Sequence, residues 1–292
     1  MDWATDGRDW PNRKLSRFTE TRGVRWHLQR GGAGPRVLLL HGAGASSHSW
    51  RDLIPRLTPR HAVLAPDLPG QGFSAGTAPR YALPAMTEDL AALLAAEDFA
   101  PDLIVGHSAG AAIALRLALD GRAAPRRILA LNGALAPFRG MAGTLFPSLA
   151  RVLALNPLTG HVFARTAAAP GAVRGLIGGT GSHVDRAGLR LYGRLITDPG
   201  HVAATLAMMA RWDLAPLIAD LPRLGVPVTL ATGLADRAVP PRTARDAAGV
   251  IPGAEVVEFR GLGHLMHEEK PDLFAELIAD HATAPAHESI AQ

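Results

Sequence analysis

Leu103-Ile104-Val105-Gly106-His107-Ser108-Ala109-Gly110 is an apolar run that ends in a serine with a glycine two residues away on each side. It predicts a buried strand that stops abruptly and turns straight into a helix, because the good helix formers Ala111-Ala112-Ile113-Ala114-Leu115-Arg116-Leu117-Ala118 follow at once. So tight a turn brings backbones together and leaves no room for a Cβ at the flanking positions, hence glycine. Ser108 is then expected at the apex, strained and exposed. The helix N-terminus beneath it offers free N–H groups and a positive dipole end to developing negative charge. Gly-x-Ser-x-Gly is common as a pentapeptide; the strand before it and the helix after it give it weight.

Outward from this stretch, strands and helices alternate. Phe18 to Leu28 reads as an early strand and Gly31-Gly32-Ala33-Gly34-Pro35 as a turn. Arg36–Leu40, Ala62–Ala65, Ile128–Leu131 and Val226–Ala231 are short apolar runs of the kind that strands buried on both faces show, and Ala254–Phe259 is the last strand. Helices are expected over Trp50–Leu57, over Glu88–Ala96 with Thr87 as its N-cap, near Arg242–Ala248, and from Pro271 to His281. This is the pattern of an α/β fold: a mainly parallel, doubly wound sheet with functional groups collecting at the carboxyl ends of its strands. From 134 to 221 the strand signal disappears and short helical pieces are broken by proline and glycine, which reads as an inserted helical cap. The expected organisation is an N-terminal arm over 1–16, a core over 17–133 and 222–282, the cap over 134–221, and a C-terminal tail over 283–292. The apolar piece Leu145–Leu155 in the cap is open to three readings: lining a greasy pocket, touching a membrane, or packing on the core.

At 292 residues, 48% of them hydrophobic and 19% charged, the chain is long enough for one α/β domain with an insertion and is not disordered in composition. Cysteine is absent, which excludes disulfides, thiolate zinc sites and cysteine nucleophiles. No run approaches the roughly 18 apolar residues of a membrane span. The acidic, polar start Met1-Asp2-Trp3-Ala4-Thr5-Asp6 has no signal-peptide core, so a cytoplasmic location is expected. The net charge of +4 comes almost wholly from arginine, with no basic block or aromatic-interleaved stripe, which argues against nucleic acid and leaves at most peripheral membrane contact.

A serine hydroxyl needs a base to take its proton, and the base needs a third group to hold its tautomer. In a sheet of this kind the partners arrive at later strand ends, acid first and histidine last. Asp236 follows the strand ending at Ala231, and His264 follows the last strand in Gly261-Leu262-Gly263-His264. Asn132 occupies the other strand end that can carry the acid but cannot hold a charge. His267 competes with His264 for the base role, yet lies at the start of a helix with Glu268 and Glu269. A metal reading of the two histidines lacks a third ligand at a fitting spacing. The oxyanion donors are expected to be the backbone N–H of Ala109 and, from the loop His41-Gly42-Ala43-Gly44, that of Ala43. His41, His48, Trp50 and His107 are expected to border the substrate pocket. A rival of another class is dinucleotide binding, since Gly42-Ala43-Gly44 with Asp67 downstream imitates the fingerprint; Ser47 stands where the third glycine belongs.

With these residues assembled, the chain resembles the α/β-hydrolase superfamily from about residue 22 to 281. The resemblance is carried by His41-Gly42-Ala43-Gly44, Asp67-Leu68-Pro69-Gly70-Gln71-Gly72-Phe73-Ser74, the Ser108 turn, the Asp236 loop, and Gly261-Leu262-Gly263-His264 with Glu269 and Pro271 behind it. Ser108 sets it apart from the dehalogenase and epoxide-hydrolase branches, whose nucleophile is a carboxylate. Asp9-Trp10-Pro11-Asn12-Arg13, Trp50-Arg51-Asp52-Leu53, Leu131-Asn132-Gly133-Ala134-Leu135-Ala136-Pro137-Phe138, Leu153-Ala154-Leu155-Asn156-Pro157 and Met208-Met209-Ala210-Arg211-Trp212-Asp213 are similar to the BchO group. That resemblance implies a role in (bacterio)chlorophyll synthesis as a magnesium-chelatase accessory protein, without naming a reaction. Two expectations follow. One is a serine esterase needing no metal or organic cofactor, with a hydrophobic substrate such as a porphyrin ester. The other is a non-catalytic helper that binds porphyrin or a chelatase subunit.

Overall fold

Short strands with apolar side chains on both faces need a layer of helices on each face. The computed structural model describes residues 1–136 and 159–283. Its strands are β1 (Ser16–Thr21), β2 (Val24–Gly31), β3 (Arg36–Leu40), β4 (Ala62–Pro66), β5 (Leu103–His107), β6 (Arg127–Leu131), β7 (Val228–Gly233) and β8 (Glu255–Phe259). They form one sheet in the order β1-β2-β4-β3-β5-β6-β7-β8. β1, β2 and β4 pair antiparallel, and the pairs from β4 to β8 are parallel. Alternate residues serve opposite cores: Leu38 and Leu40 of β3 join the cluster under the helices Leu83–Ala96 and Ala109–Leu119, while Val37 and Leu39 join the one under Pro271–Thr283.

β4 and β5 lie on opposite sides of β3, so the winding reverses there and opens a crevice beyond the carboxyl ends of β3 and β5. Both loops expected to matter, His41–Gly44 and the Ser108 turn, leave from those two ends. Between β6 and β7 the described residues hold the helices Thr159–Ala167, Ala172–Gly179, Arg186–Ile196, Pro199–Ala210 and Ala215–Asp220, with no strand among them. The stretch Leu145–Leu155 and the tail beyond Thr283 lie outside the described residues. Among the described residues no single helix is long and apolar enough to cross a membrane.

Two local expectations need correction. The early strand is a hairpin, β1 and β2, turned by Arg22 (φ 49) and Gly23 (φ 75). A two-residue turn with both φ positive matches the twist of the flanking strands. The second helix starts at Leu83 rather than Glu88, with Pro84 in its first turn, where a missing N–H costs nothing; Thr87 lies inside, its Oγ1 donating to Pro84 O at 2.8 Å. In the N-terminal segment, Trp10 is buried in a small cluster with Phe73 and with Leu191 and Leu195 of the insertion.

An ion network centred on the buried pair Arg51 and Glu268 fastens the insertion to the core. The Arg51 guanidinium meets the Glu268 carboxylate, and its Nη2 donates to Asp185 Oδ1 at 3.1 Å. Asp185 in turn caps the helix Arg186–Ile196, and Tyr192 of that helix donates to Glu268 Oε1 at 2.6 Å. Burial pushes Glu268 up to about 7 in spite of Arg51 and Tyr192. Removing one partner of such a pair strands the other in a low-dielectric site. Arg51→Met is therefore expected to lower the unfolding free energy by about 3 kcal/mol in urea titrations at pH 7.5. The double variant Arg51→Met/Glu268→Gln should recover at least half of that. Equal losses in the single and the double variant would show that the pair is not coupled.

Candidate active site

Ser108 sits at φ 52, ψ −114, between β5 and the helix Ala109–Leu119. A non-glycine residue there is strained, and such strain persists only where the surroundings enforce it. They do so here. A Cβ on Gly106 would lie 2.5 Å from Gly110 O, and one on Gly110 would overlap Leu40 O in β3. From the β6 side, Ser108 N donates to Leu131 O at 2.9 Å and Ala134 N to Ser108 O at 3.0 Å.

The register Leu40 to Gly106 sets the loop after β3 beside the serine. A Cβ on Gly42 would stand 3.0 Å from Ser108 Cβ. Next to it Ala43 is exposed, and its N–H has no partner among the described residues. The Ala109 N–H opens a helix and so has no intrahelical acceptor.

Asp236 and His264 meet directly: Asp236 Oδ2 accepts from His264 Nδ1 at 2.7 Å. Asp236 Oδ1 accepts from the N–H groups of Ala238 (2.7 Å) and Val239 (2.9 Å), which fixes the carboxylate plane. With Nδ1 donating, His264 presents the lone pair of Nε2. No hydrogen bond joins Ser108 Oγ to His264; in substrate-free sites such contacts are often long and tighten on binding.

His264 leaves β8, three strands away from β5, so its loop must travel back about 14 Å across the sheet. Two side chains catch it by its carbonyl. His107 Nε2, beside the serine, donates to His264 O at 2.8 Å, and so does Asn132 Nδ2, from the end of β6, at 2.8 Å. Asn132 also donates to Gly263 O (3.0 Å), while its Oδ1 accepts from Gly233 N (2.8 Å) at the end of β7. The strand end that cannot hold a charge thus ties the acid strand to the histidine loop. The helical insertion grips the same loops, with Arg237 N donating to Thr180 O (3.1 Å) and Leu265 N to Ser182 Oγ (2.7 Å).

The remaining sequence candidates are scaffold. His41, His48 and Trp50 are fully buried and His107 nearly so. His41 bridges Gly42 O and Leu68 N, His48 bonds Ser46 Oγ, and Trp50 packs on His267. His267 lies buried in the short helix Met266–Glu269 with Nε2 on Ser49 Oγ, and burial, with His264 and Arg51 nearby, lowers its pKa to about 3. A group so reluctant to take a proton is no base at neutral pH. Asp67 is equally committed: its oxygens accept from Ser47 N (2.6 Å) and Phe73 N (2.9 Å) and meet His27 Nδ1 at 2.8 Å, so none is left for a ribose. Burial works to raise the Asp67 pKa, but His27, His41 and the amide of Phe73 outweigh it and hold it well below the usual carboxylate range.

Sequence reasoning overlooked Thr180, Ser182 and His201, the last of which reaches Gly44 O and Gly72 N. Nothing local marks them, since the site-side partners they hold, Arg237, Leu265, Gly44 and Gly72, lie more than 50 residues away in the chain.

The model of the family described as Alpha/beta hydrolase family matches residues 37–277. The magnesium-chelatase 30 kDa subunit of Rhodobacter capsulatus is 43% identical over 275 residues, covering 93% of this chain and 96% of that protein. Among solved structures, an alpha/beta hydrolase fold protein from Burkholderia ambifaria superposes with a TM-score of 0.76 at 23% identity, over 91% of this chain and 97% of that one. An esterase from Exiguobacterium antarcticum gives 0.75 at 19% identity, over 91% and 99%. At these identities the two structures speak to the fold alone.

Proposed function

The chain belongs to the alpha/beta hydrolase family, and from that premise we propose that it is a serine hydrolase cleaving an ester of a hydrophobic small molecule. The observation that carries this reading is the 2.7 Å contact of Asp236 with His264, in a loop bonded to the residue next to a strained Ser108. In the reaction, Ser108 Oγ attacks the acyl carbon while His264 Nε2 takes its proton, and Asp236 orients and stabilises the imidazolium. The negative charge moves to the carbonyl oxygen, which faces the N–H groups of Ala109 and Ala43. Collapse expels the alcohol with the proton from His264. A water activated by the same imidazole then attacks the acyl-serine and releases the acid.

The 43% identity to a magnesium-chelatase subunit and the resemblance to the BchO group favour a place in (bacterio)chlorophyll synthesis. A porphyrin methyl or propionate ester is a large, flat substrate that suits the apolar sequence of the insertion. The same relative supports a second reading, a helper that keeps the fold to hold pigment or a chelatase subunit.

Incubation with a fluorophosphonate probe, followed by mapping the modified peptide, tests the first reading. Ser108 is expected to carry the adduct, and Ser108→Ala to carry none. A wild-type chain that neither labels nor cleaves p-nitrophenyl esters contradicts it. In cells, Ser108→Ala abolishes function if the chain is an enzyme and leaves it intact if it is a helper.

A further inference from the structure

We propose that His201, carried by the helical insertion, is a positioning residue that with Gln71 locks the Ala43 amide in its oxyanion-facing orientation. The inference rests on the serine-hydrolase reading and adds to it a dependence of the oxyanion hole on the insertion.

Ala43 lies between Gly42 and Gly44, and Gly44 has φ +78. Glycine on both sides makes rotation of the intervening peptide planes inexpensive, so the direction of the Ala43 N–H has to be enforced from outside. Three successive peptide planes are pinned. Gly42 O accepts from His41 Nδ1 at 2.8 Å and from Ala45 N at 3.2 Å. In a trans peptide the N–H points opposite to the C=O, so these two bonds aim the Ala43 N–H away from His41. On the next plane, Gly44 N donates to Gln71 Oε1 at 2.7 Å. On the third, Gly44 O accepts from His201 Nε2 at 3.2 Å.

His201 is buried, and its other nitrogen, Nδ1, accepts from Gly72 N at 3.1 Å. Only the neutral ring protonated on Nε2 satisfies both bonds. Burial lowers its pKa to about 4, against the opposing pull of the Gly44 carbonyl, Asp198 and Asp67, so that this form persists through the neutral range. The ring is held in turn by its helix, whose N-cap Asp198 accepts from His201 N at 2.7 Å. One helix face supplies the whole clamp. Thr205 lies one turn on, with Cγ2 3.4 Å from where a Gly44 Cβ would be, and Met208 lies a further turn on and accepts from Gln71 Nε2 at 3.1 Å. A helix that only docked on the core would need contact with its surface. This one holds both the donor and the acceptor of the residue following the oxyanion amide, directly and through Gln71.

The test compares His201→Ala, His201→Gln and Gln71→Leu with the wild type. The readouts are steady-state hydrolysis of p-nitrophenyl butyrate, the rate of fluorophosphonate labelling at Ser108, and affinity for a trifluoromethyl ketone that forms a tetrahedral adduct. Loss of a whole oxyanion donor costs about 100- to 1000-fold in kcat. A donor left in place but no longer aimed should cost about 10- to 100-fold. His201→Ala is therefore expected to lower kcat, the labelling rate and ketone affinity by that factor with KM within twofold. His201→Gln, whose planar amide offers one donor and one acceptor, should return to within about fivefold of wild type. Gln71→Leu frees Gly44 from the other side and should reproduce the alanine signature even if His201→Ala does not fold.

A folded His201→Ala with kcat and ketone affinity within twofold of wild type overturns the proposal. So does a glutamine variant as impaired as the alanine one, or a Gln71→Leu that changes KM alone. If the wild type forms no Ser108 adduct, the serine-hydrolase reading fails and takes this inference with it. If the wild type labels and all three variants label equally fast, only the clamp is lost.

Discussion

His264→Ala will hydrolyse p-nitrophenyl butyrate about 10,000-fold more slowly than the wild type, and Asp236→Asn will lose a comparable factor. The two losses have different origins. Without the imidazole nothing takes the Ser108 proton. His267 cannot substitute, because it is buried with Nε2 on Ser49 Oγ and its pKa lies at about 3. In Asp236→Asn the base is still present. The Asn Oδ1 keeps the amides of Ala238 and Ala238's neighbour Val239 as donors, so the side-chain NH₂ takes the position of Oδ2 and points at His264 Nδ1. That nitrogen must then accept, the ring proton moves to Nε2, and the lone pair needed by Ser108 is gone. Both variants should fold, since the loop is held through its backbone by His107, Asn132 and Ser182 rather than by the imidazole. Circular dichroism within error of wild type together with retained activity in His264→Ala would remove the base from its assigned role.

The sheet is legible because β3, β5 and β6 are all-apolar runs, a pattern that arises only where helices cover both faces. The strand ends that carry Ser108, Asp236 and His264 are legible for a related reason: the loop that leaves the carboxyl end of a parallel strand emerges at that edge, and each of the three lies in such a loop or turn. What local sequence hides is whatever depends on the partner rather than the residue. Arg22-Gly23 forms a two-residue hairpin turn without the Asn or Asp that usually announces one. Thr87 has the composition of a cap, but Pro84 already fits the first turn and draws the helix start back to Leu83. Asn132 is visible as a polar strand end, and its residue type excludes an acid. That it bridges β7 to the histidine loop follows only once a chain returning from β8 is seen to cross it. His201 reaches a glycine carbonyl 157 positions away, and no periodicity within its own helix encodes that contact.

Stability is expected to fall between pH 6.5 and 5.5, by about 3 kcal/mol, through histidines that the fold keeps neutral. Burial lowers the pKa of His41, His48, His107, His201 and His267, to about 4 for His201 and about 3 for His267. In the unfolded chain each titrates near 6.5. A basic group depressed in the folded state contributes its full stabilisation above the unfolded value and loses it as pH falls through the window down to the folded one. Over the first unit of that window the unfolded chain gains about 1 kcal/mol of protonation free energy per histidine, or roughly 4 kcal/mol for His48, His107, His201 and His267, which are lowered furthest. Glu268, raised to about 7, acts with the opposite sign. Its protonated form favours the fold as pH falls from 7 towards its unfolded value, which returns about 1 kcal/mol over the same interval. The remaining loss is a sizeable share of the 5–15 kcal/mol typical of a folded domain. Urea midpoints at pH 7.0, 6.0 and 5.5 measure it, and their slope should correspond to the uptake of roughly 3 protons on unfolding at pH 5.5. Asp67 cannot produce this slope, because a carboxyl held below its ordinary value matters only at lower pH. Midpoints that do not move between pH 7.0 and 5.5 would mean that the buried imidazoles are protonated within the fold. The single-tautomer bonding of His41 and His201 would then be wrong as well.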